Sequence, residues 1–169
     1  KRVKGDRADR HGADRGRVPW VTVVSAPLCH ATGTNTSDIQ KRIEGGVQLC
    51  EPKFEGVAVI DAIEREGVTL LFGVPTMFAS LTESPRWATA DLSSLRLLLC
   101  GGAPVPKSLI TTYHERGLSF VQGYGMTETA PGALMVDPRM SHETVGAAGV
   151  AHFFTDVRIV SGDLSDADP

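Results

Sequence analysis

Short runs of β-branched and aliphatic residues alternate along this chain with stretches whose apolar positions recur at helical spacing. The runs Trp20–Ser25, Val47–Cys50, Val68–Gly73, Leu95–Cys100 and Leu118–Gln122 predict strands, and a sixth is expected at Asp156–Val160. Val68–Gly73 is apolar enough for burial on both faces. Between the runs, Thr36–Glu44 predicts a helix ended by Gly45-Gly46. Gly56–Glu66 places Val59, Ile60 and Ile63 on one face and stops at Gly67. Pro75 suits a first helical position before Thr76–Thr82, and Pro106–Arg116 predicts a further helix closed by Gly117. Asp91–Ser94 is expected to turn.

This βαβ alternation predicts an α/β fold, a mostly parallel sheet with flanking helices. Right-handed crossovers would put the strand carboxyl ends on one edge, where ligands of such sheets bind. With 169 residues, one domain is expected. It spans about residues 20–160, between a basic leader at 1–19 and a polar tail at 161–169.

Composition adds limits. With 41% apolar and 22% charged residues the chain has the make-up of an ordinary soluble protein, and no apolar run approaches a membrane span. Formal charge is −3, but residues 1–17 hold seven Lys/Arg against three Asp, a net +4, leaving −7 for the rest. That leader lacks an apolar face and mixes acids among its bases, so a solvated end is the better reading than a nucleic-acid arm. Cys29, Cys50 and Cys100 form no CxxC pair, which fits reduced thiols and a cytoplasmic setting.

Two loops follow predicted strand ends. In Gly101-Gly102-Ala103-Pro104-Val105-Pro106 the glycines let backbone approach a ligand and the prolines direct the exit into a helix, although a plain tight turn explains the same residues. Gln122-Gly123-Tyr124-Gly125-Met126-Thr127-Glu128-Thr129 is harder to read as a turn. Tyr124 offers a flat face for a base, and the threonines offer hydroxyls. Glu128 beside a phosphate would need a cation, and carboxylate oxygens suit Mg²⁺ shared with substrate phosphates. Helix-start capping by Thr and Glu is the competing explanation.

The string GYGMTET closely resembles the signature loop of the adenylate-forming superfamily, which includes acyl-CoA synthetases, luciferases and peptide-synthetase adenylation domains. Other segments resemble the same family in order: Pro27–Gly33, Val68–Leu81, Leu92–Pro106, Val145–Gly149 and Val157–Val160. The resemblance covers roughly residues 24–160. It implies part of that family's large N-terminal domain, from the acyl-CoA synthetase branch.

It also implies roles. Gly101, Gly102, Ala103 and Pro104 would line the adenine and acyl pocket, and Tyr124 would pack on adenine within the Gln122–Thr127 loop. Thr127 would contact the α-phosphate and Glu128 would hold Mg²⁺. His30 would lie by the acyl and thioester pocket, with a packed structural histidine as the competing reading; Cys29 stands where the family usually has an aromatic. The implied reaction uses ATP, coenzyme A and a carboxylic acid, expected to be fatty or otherwise apolar. The carboxylate oxygen bonds to the α-phosphorus as pyrophosphate leaves, giving an acyl-adenylate. A thiol sulfur then bonds to the carbonyl carbon and AMP leaves.

The family's upstream phosphate loop is not recognisable before Pro27, and its ribose-binding aspartate and C-terminal domain are not found downstream. The expectation is therefore a ligase portion unable to finish the reaction alone. The alternative is an inactive module that binds an adenylate, associates with itself, or meets a complementing chain.

Overall fold

The computed structural model describes residues 21–24, 47–50, 54–129 and 132–167. Seven strands form one sheet: β1 (Val21–Val24), β2 (Val47–Cys50), β3 (Leu70–Gly73), β4 (Leu97–Cys100), β5 (Phe120–Tyr124), β6 (Leu134–Met135) and β7 (Val150–Ala151). Their spatial order is β2-β1-β3-β4-β5-β6-β7. The first five are parallel, and β6 and β7 add antiparallel. The expected mostly parallel α/β sheet is therefore present, and β6 and β7 extend it beyond what periodicity predicts.

Among the described residues three helices pack beside it: α1 (Gly56–Glu66), α2 (Pro75–Thr82) and α3 (Lys107–Glu115). Gly67 ends α1 at φ +64, its N–H donating to the Ile63 carbonyl at 3.0 Å. That is the left-handed cap glycine accepts without strain. Pro75 opens α2, where its missing N–H costs nothing. A Cβ on Gly56 would stand 2.6 Å from the Ser80 carbonyl oxygen, so glycine there lets α1 and α2 approach closely.

Register explains the core. Leu71 pairs with Leu98, and Leu98 with Phe120, so these three share one sheet face. All three are buried with Val59, Ile60 and Ile63 of α1, Phe78 of α2 and Ile110 and Tyr113 of α3. Rings dominate the centre. Phe78 meets Phe120 edge-on at 4.8 Å and Tyr113 at 5.5 Å, and Trp87 meets Tyr113 at 4.8 Å. Such offset pairs add about 0.5–1.5 kcal/mol each beyond area burial. The Tyr113 hydroxyl donates to the Phe78 carbonyl at 2.8 Å, so the buried phenol is satisfied. Arg116 donates to the carbonyls of Trp87 and Ala90 and lies over the Trp87 ring, closing the end of the core opposite the strand carboxyl ends.

Two expectations change. Asp156–Val160 forms no strand; only Val160 makes a bridge, with Asp166. Its apolar side chains are exposed, so no buried face stabilises a strand there. The polar segment from Ser161 folds back rather than trailing away: Arg158 pairs with Asp166, and the Ser161 N–H donates to the Ser165 carbonyl at 2.9 Å. The predicted helix at Thr36–Glu44 and the leader lie outside the described residues.

Phe78→Ala is expected to lower stability by about 3–5 kcal/mol, because it empties the ring cluster. Tyr113→Phe should cost about 0.5–1.5 kcal/mol, the net worth of the lost phenol hydrogen bond, since the Phe78 carbonyl lies within a helix that also supplies it a donor. Chemical denaturation of both variants checks the order; equal costs would contradict this account of the core.

Candidate nucleotide site

β4 and β5 lie side by side and parallel, with Cys100 opposite Gln122. The two glycine-bearing loops therefore leave neighbouring strand ends on the same edge. Contact between them is direct. A Cβ on Gly101 would stand 3.3 Å from the Gly123 carbonyl oxygen, and the Gly101 N–H donates to Gly73 of β3 at 3.2 Å. Gly102 has φ +85, a conformation that favours glycine. Gly101 is buried, while Gly102, Ala103 and Pro104 are exposed at the rim.

In the second loop, β5 carries Gln122, Gly123 and Tyr124, and Gly125 and Met126 lead into a 3-10 turn at Thr127–Thr129. Gln122 is half-buried, and its amide oxygen is buried with no hydrogen-bond partner among the described residues. The Tyr124 ring is 46% exposed at the edge, although its backbone pairs with Leu134. Thr129 closes the loop on itself: its hydroxyl accepts from the Met126 N–H at 3.1 Å, and its own N–H donates to the Met126 carbonyl. The capping explanation thus describes Thr129. It does not describe Thr127 or Glu128, which are exposed and make no hydrogen bond or ion pair among the described residues.

Among the described residues no group of three or more His, Cys, Asp or Glu could hold a metal. Glu128 is a single carboxylate, which suits Mg²⁺ carried largely by phosphate oxygens rather than a protein cage. His30 and Cys29 lie outside the described residues. Cys100 is fully buried, and burial pushes its thiol up to about 12, so it stays protonated and inert.

Two features behind the loop escape pattern reading. Gly149 has φ +105, and a Cβ there would fall 2.0 Å from the Met135 carbonyl carbon. Only glycine lets the 141–149 segment lie against β6, which in turn pairs with Gly123 and Tyr124. A glycine in Val145–Gly149 is visible in the sequence, but its need is set by a strand 14 residues earlier. The second feature is a stack of His114, on α3, against His142, with ring centroids 3.7 Å apart and planes at 28°. Desolvation, then the neighbouring His142, lowers the His114 pKa below 6.5; a long contact with the Phe120 carbonyl opposes this.

The sign follows. A folded state that prefers neutral His114 is fully stabilised above pH 6.5 and loses that contribution as pH falls toward the lowered folded value. Asp137 titrates much lower, at about 2, held there by hydrogen bonding from Arg139. The unfolding midpoint should therefore fall between pH 7.5 and 5.5, and His114→Gln should reduce that fall; an identical slope in the variant would contradict it. Gly149→Ala should lower the midpoint at every pH by several degrees, since backbone must move, and a neutral result would show that the segment is not docked on β6.

Comparisons with known proteins bear on this geometry. A family model described as AMP-binding enzyme matches residues 8–168, beginning inside the leading segment that pattern reading set aside. The chain is 53% identical over 137 residues to a feruloyl-CoA synthase of Amycolatopsis sp, covering 81% of this chain and 28% of that protein. It is 40% identical over 147 residues to an indoleacetate–CoA ligase of Aromatoleum aromaticum, covering 87% and 29%. Among solved structures, the N-terminal domain of FACL13 from Mycobacterium tuberculosis superposes with TM-score 0.80 at 28% identity, covering 89% of this chain and 38% of that one. O-succinylbenzoate coenzyme A synthetase of Bacillus subtilis, in complex with ATP and magnesium, superposes with TM-score 0.78 at 30% identity, covering 89% and 30%. The chain thus spans under a third of the length of these two curated relatives. Among the described residues no helix is long and apolar enough to cross a membrane. By the match over nearly all of its length, the chain belongs to the AMP-binding enzyme family.

Proposed function

We propose that this chain is the adenylate-holding part of an ATP-dependent acid–thiol ligase that makes a coenzyme A thioester of an aromatic carboxylic acid. The observation that supports it is the pairing of two glycine-opened loops at adjacent strand ends, with Thr127 and Glu128 left unengaged beside an exposed Tyr124. Tyr124 packs on adenine, and the Gly101–Pro104 rim approaches the base and the acyl group. The buried Gln122 amide oxygen can accept from a ligand donor. Thr127 donates to the α-phosphate, where charge builds as the carboxylate oxygen bonds to phosphorus and pyrophosphate departs. Glu128 would hold Mg²⁺, which supplies charge neutralisation on the phosphates. The chain's contribution is positioning and electrostatics, so no covalent nucleophile is needed. His30 is proposed to flank the thioester pocket.

The aromatic substrate class is favoured by the names of the relatives at 53% and 40% identity, both of which carry aryl acyl groups. A fatty acid, the expectation from sequence, is the second reading, supported by 30% identity over 137 residues to a long-chain-fatty-acid–CoA ligase of Mycobacterium tuberculosis. By itself the chain is proposed to bind an adenylate and not to complete thioester formation, since it spans 28% of its feruloyl-CoA synthase relative.

Calorimetric titration with non-hydrolysable aryl- and alkyl-acyl adenylate analogues, each with Mg²⁺, tests the proposal. The aryl analogue should bind saturably and more tightly, and Glu128→Ala should weaken it about tenfold, or ~1.4 kcal/mol. Tyr124→Ala should weaken both analogues alike. No binding by protein whose circular dichroism shows it folded would overturn the function, and tighter alkyl binding would move the substrate to fatty acids.

A further inference from the structure

The 138–149 segment lies behind the Tyr124 loop and is held from two sides. Toward the sheet, Gly149 lies against the Met135 carbonyl of β6, the strand that pairs with Gly123 and Tyr124. Toward α3, Gly146 lies along the Lys107 stem, whose Cε would stand 2.7 Å from an added Cβ, and His142 stacks on His114 at 3.7 Å between centroids. The helix on which the segment rests is also the one into which the Gly101–Pro106 loop runs. Within the segment the Thr144 N–H donates to the Met140 carbonyl and the Ala147 N–H to the Thr144 carbonyl, both at 3.0 Å. Ser141, next to His142, is 3% exposed, and its hydroxyl has no partner among the described residues. Lifting the segment would hydrate that hydroxyl and so offset part of the packing lost.

Two imidazoles stacked this closely tolerate one proton, because an imidazolium can lie over a neutral ring. A second proton sets like charges 3.7 Å apart. The charged groups on the elements that meet here are Lys107, Glu115 and Arg116 around α3, and Asp137, Arg139 and Glu143 around the segment; β5 brings only the Phe120 carbonyl. Arg116 is engaged with the Trp87 and Ala90 carbonyls, and Asp137 and Arg139 hold each other. Neither Glu115 nor Glu143 forms an ion pair with the rings among the described residues, so no carboxylate offsets the second charge. We propose that the His114–His142 stack is a pH-sensitive latch: closed, it holds the 138–149 segment on α3 behind the adenylate loop, and double protonation releases the segment and loosens that loop. Desolvation and then His142 already lower the His114 pKa. The closed form is therefore fully favoured above pH 6.5 and loses that favour as pH falls toward the lowered value. The two rings titrate as a unit.

The ligand of the loop is that of the ligase reading above, but the exchange arm of the test uses no ligand, so the two can fail separately. Amide hydrogen exchange is followed at pH 7.5 and 5.5 and corrected for its intrinsic pH dependence. Thr144 and Ala147 report the segment. Val136, whose N–H donates to the Gln122 carbonyl at 3.0 Å, reports the backing of the loop, and Leu98, donating to Ser119, reports the core sheet. From pH 7.5 to 5.5 protection at Thr144, Ala147 and Val136 should fall about fivefold or more while Leu98 keeps its own. His142→Phe leaves a ring on His114 without its charge and should hold all four amides protected at both pH values. Unchanged protection in the native chain would overturn the latch, as would a fall at Leu98 equal to the others or an equal fall in the variant. Should His142→Phe not fold, His114→Gln is read in its place and should lose the pH dependence equally. Affinity for the aryl adenylate analogue should drop about fivefold over the same range in the native chain and less than about twofold in the variant. Release of the segment without that drop would overturn its link to the site. Absence of binding at both pH values fails the ligase reading alone, and exchange still decides the latch.

Discussion

The in-register parallel pairing of β3, β4 and β5 is the constraint on which the rest of this structure depends. It aligns Leu71, Leu98 and Phe120 as one buried row, and the same register brings Cys100 opposite Gln122 at the carboxyl edge. A slip of one residue would turn every side chain of a strand to the other face, taking Phe120 out of the ring cluster and bringing Ser119 or Val121 into its place. Core and candidate site are therefore fixed together. The ring cluster of Phe78, Tyr113 and Phe120 holds the register from one face, and two glycine loops emerge from its far end.

The site is built mainly from backbone. Gly101 and Gly123 approach because neither has a side chain, and Gly149 lets a distant segment press on β6 behind Tyr124. Thr127, Glu128 and the Gln122 amide oxygen, all in one loop, have no hydrogen-bond partner among the described residues; outside it the buried hydroxyls of Ser119 and Ser141 also lack one. Elsewhere polar groups are mostly matched internally, as with Tyr113 to Phe78 and Arg116 to two carbonyls. The gathering of three such groups in one glycine-opened loop, rather than their absence elsewhere, is the physical basis for the functional proposal at the loop.

An open apolar strip beyond β7 gives the molecule a second unsatisfied region, apolar rather than polar. Between the two lies β6, which pairs with β5 on one side and β7 on the other.

Much of this was legible in the sequence. Helix α1 and its Gly67 stop, Pro75 at the start of α2, and the five parallel strands follow from periodicity and capping, which are local properties. The signature loop was legible because its composition is wasteful for a turn. Other features were not. β6 and β7 are two residues each, too short for alternation to register, and exist only through pairing with β5. Asp156–Val160 has strand composition but no buried face, so propensity alone misleads there. The need for glycine at 149 and the His114–His142 stack depend on which segments meet in space. The sequence by itself determined the local elements and the residue make-up of the Gln122–Thr129 loop, because both are written in neighbouring residues. Only the tertiary structure decided that the two loops leave neighbouring strands, which glycines are obligatory and which apolar residues stay open, because those depend on contacts between residues far apart in the chain.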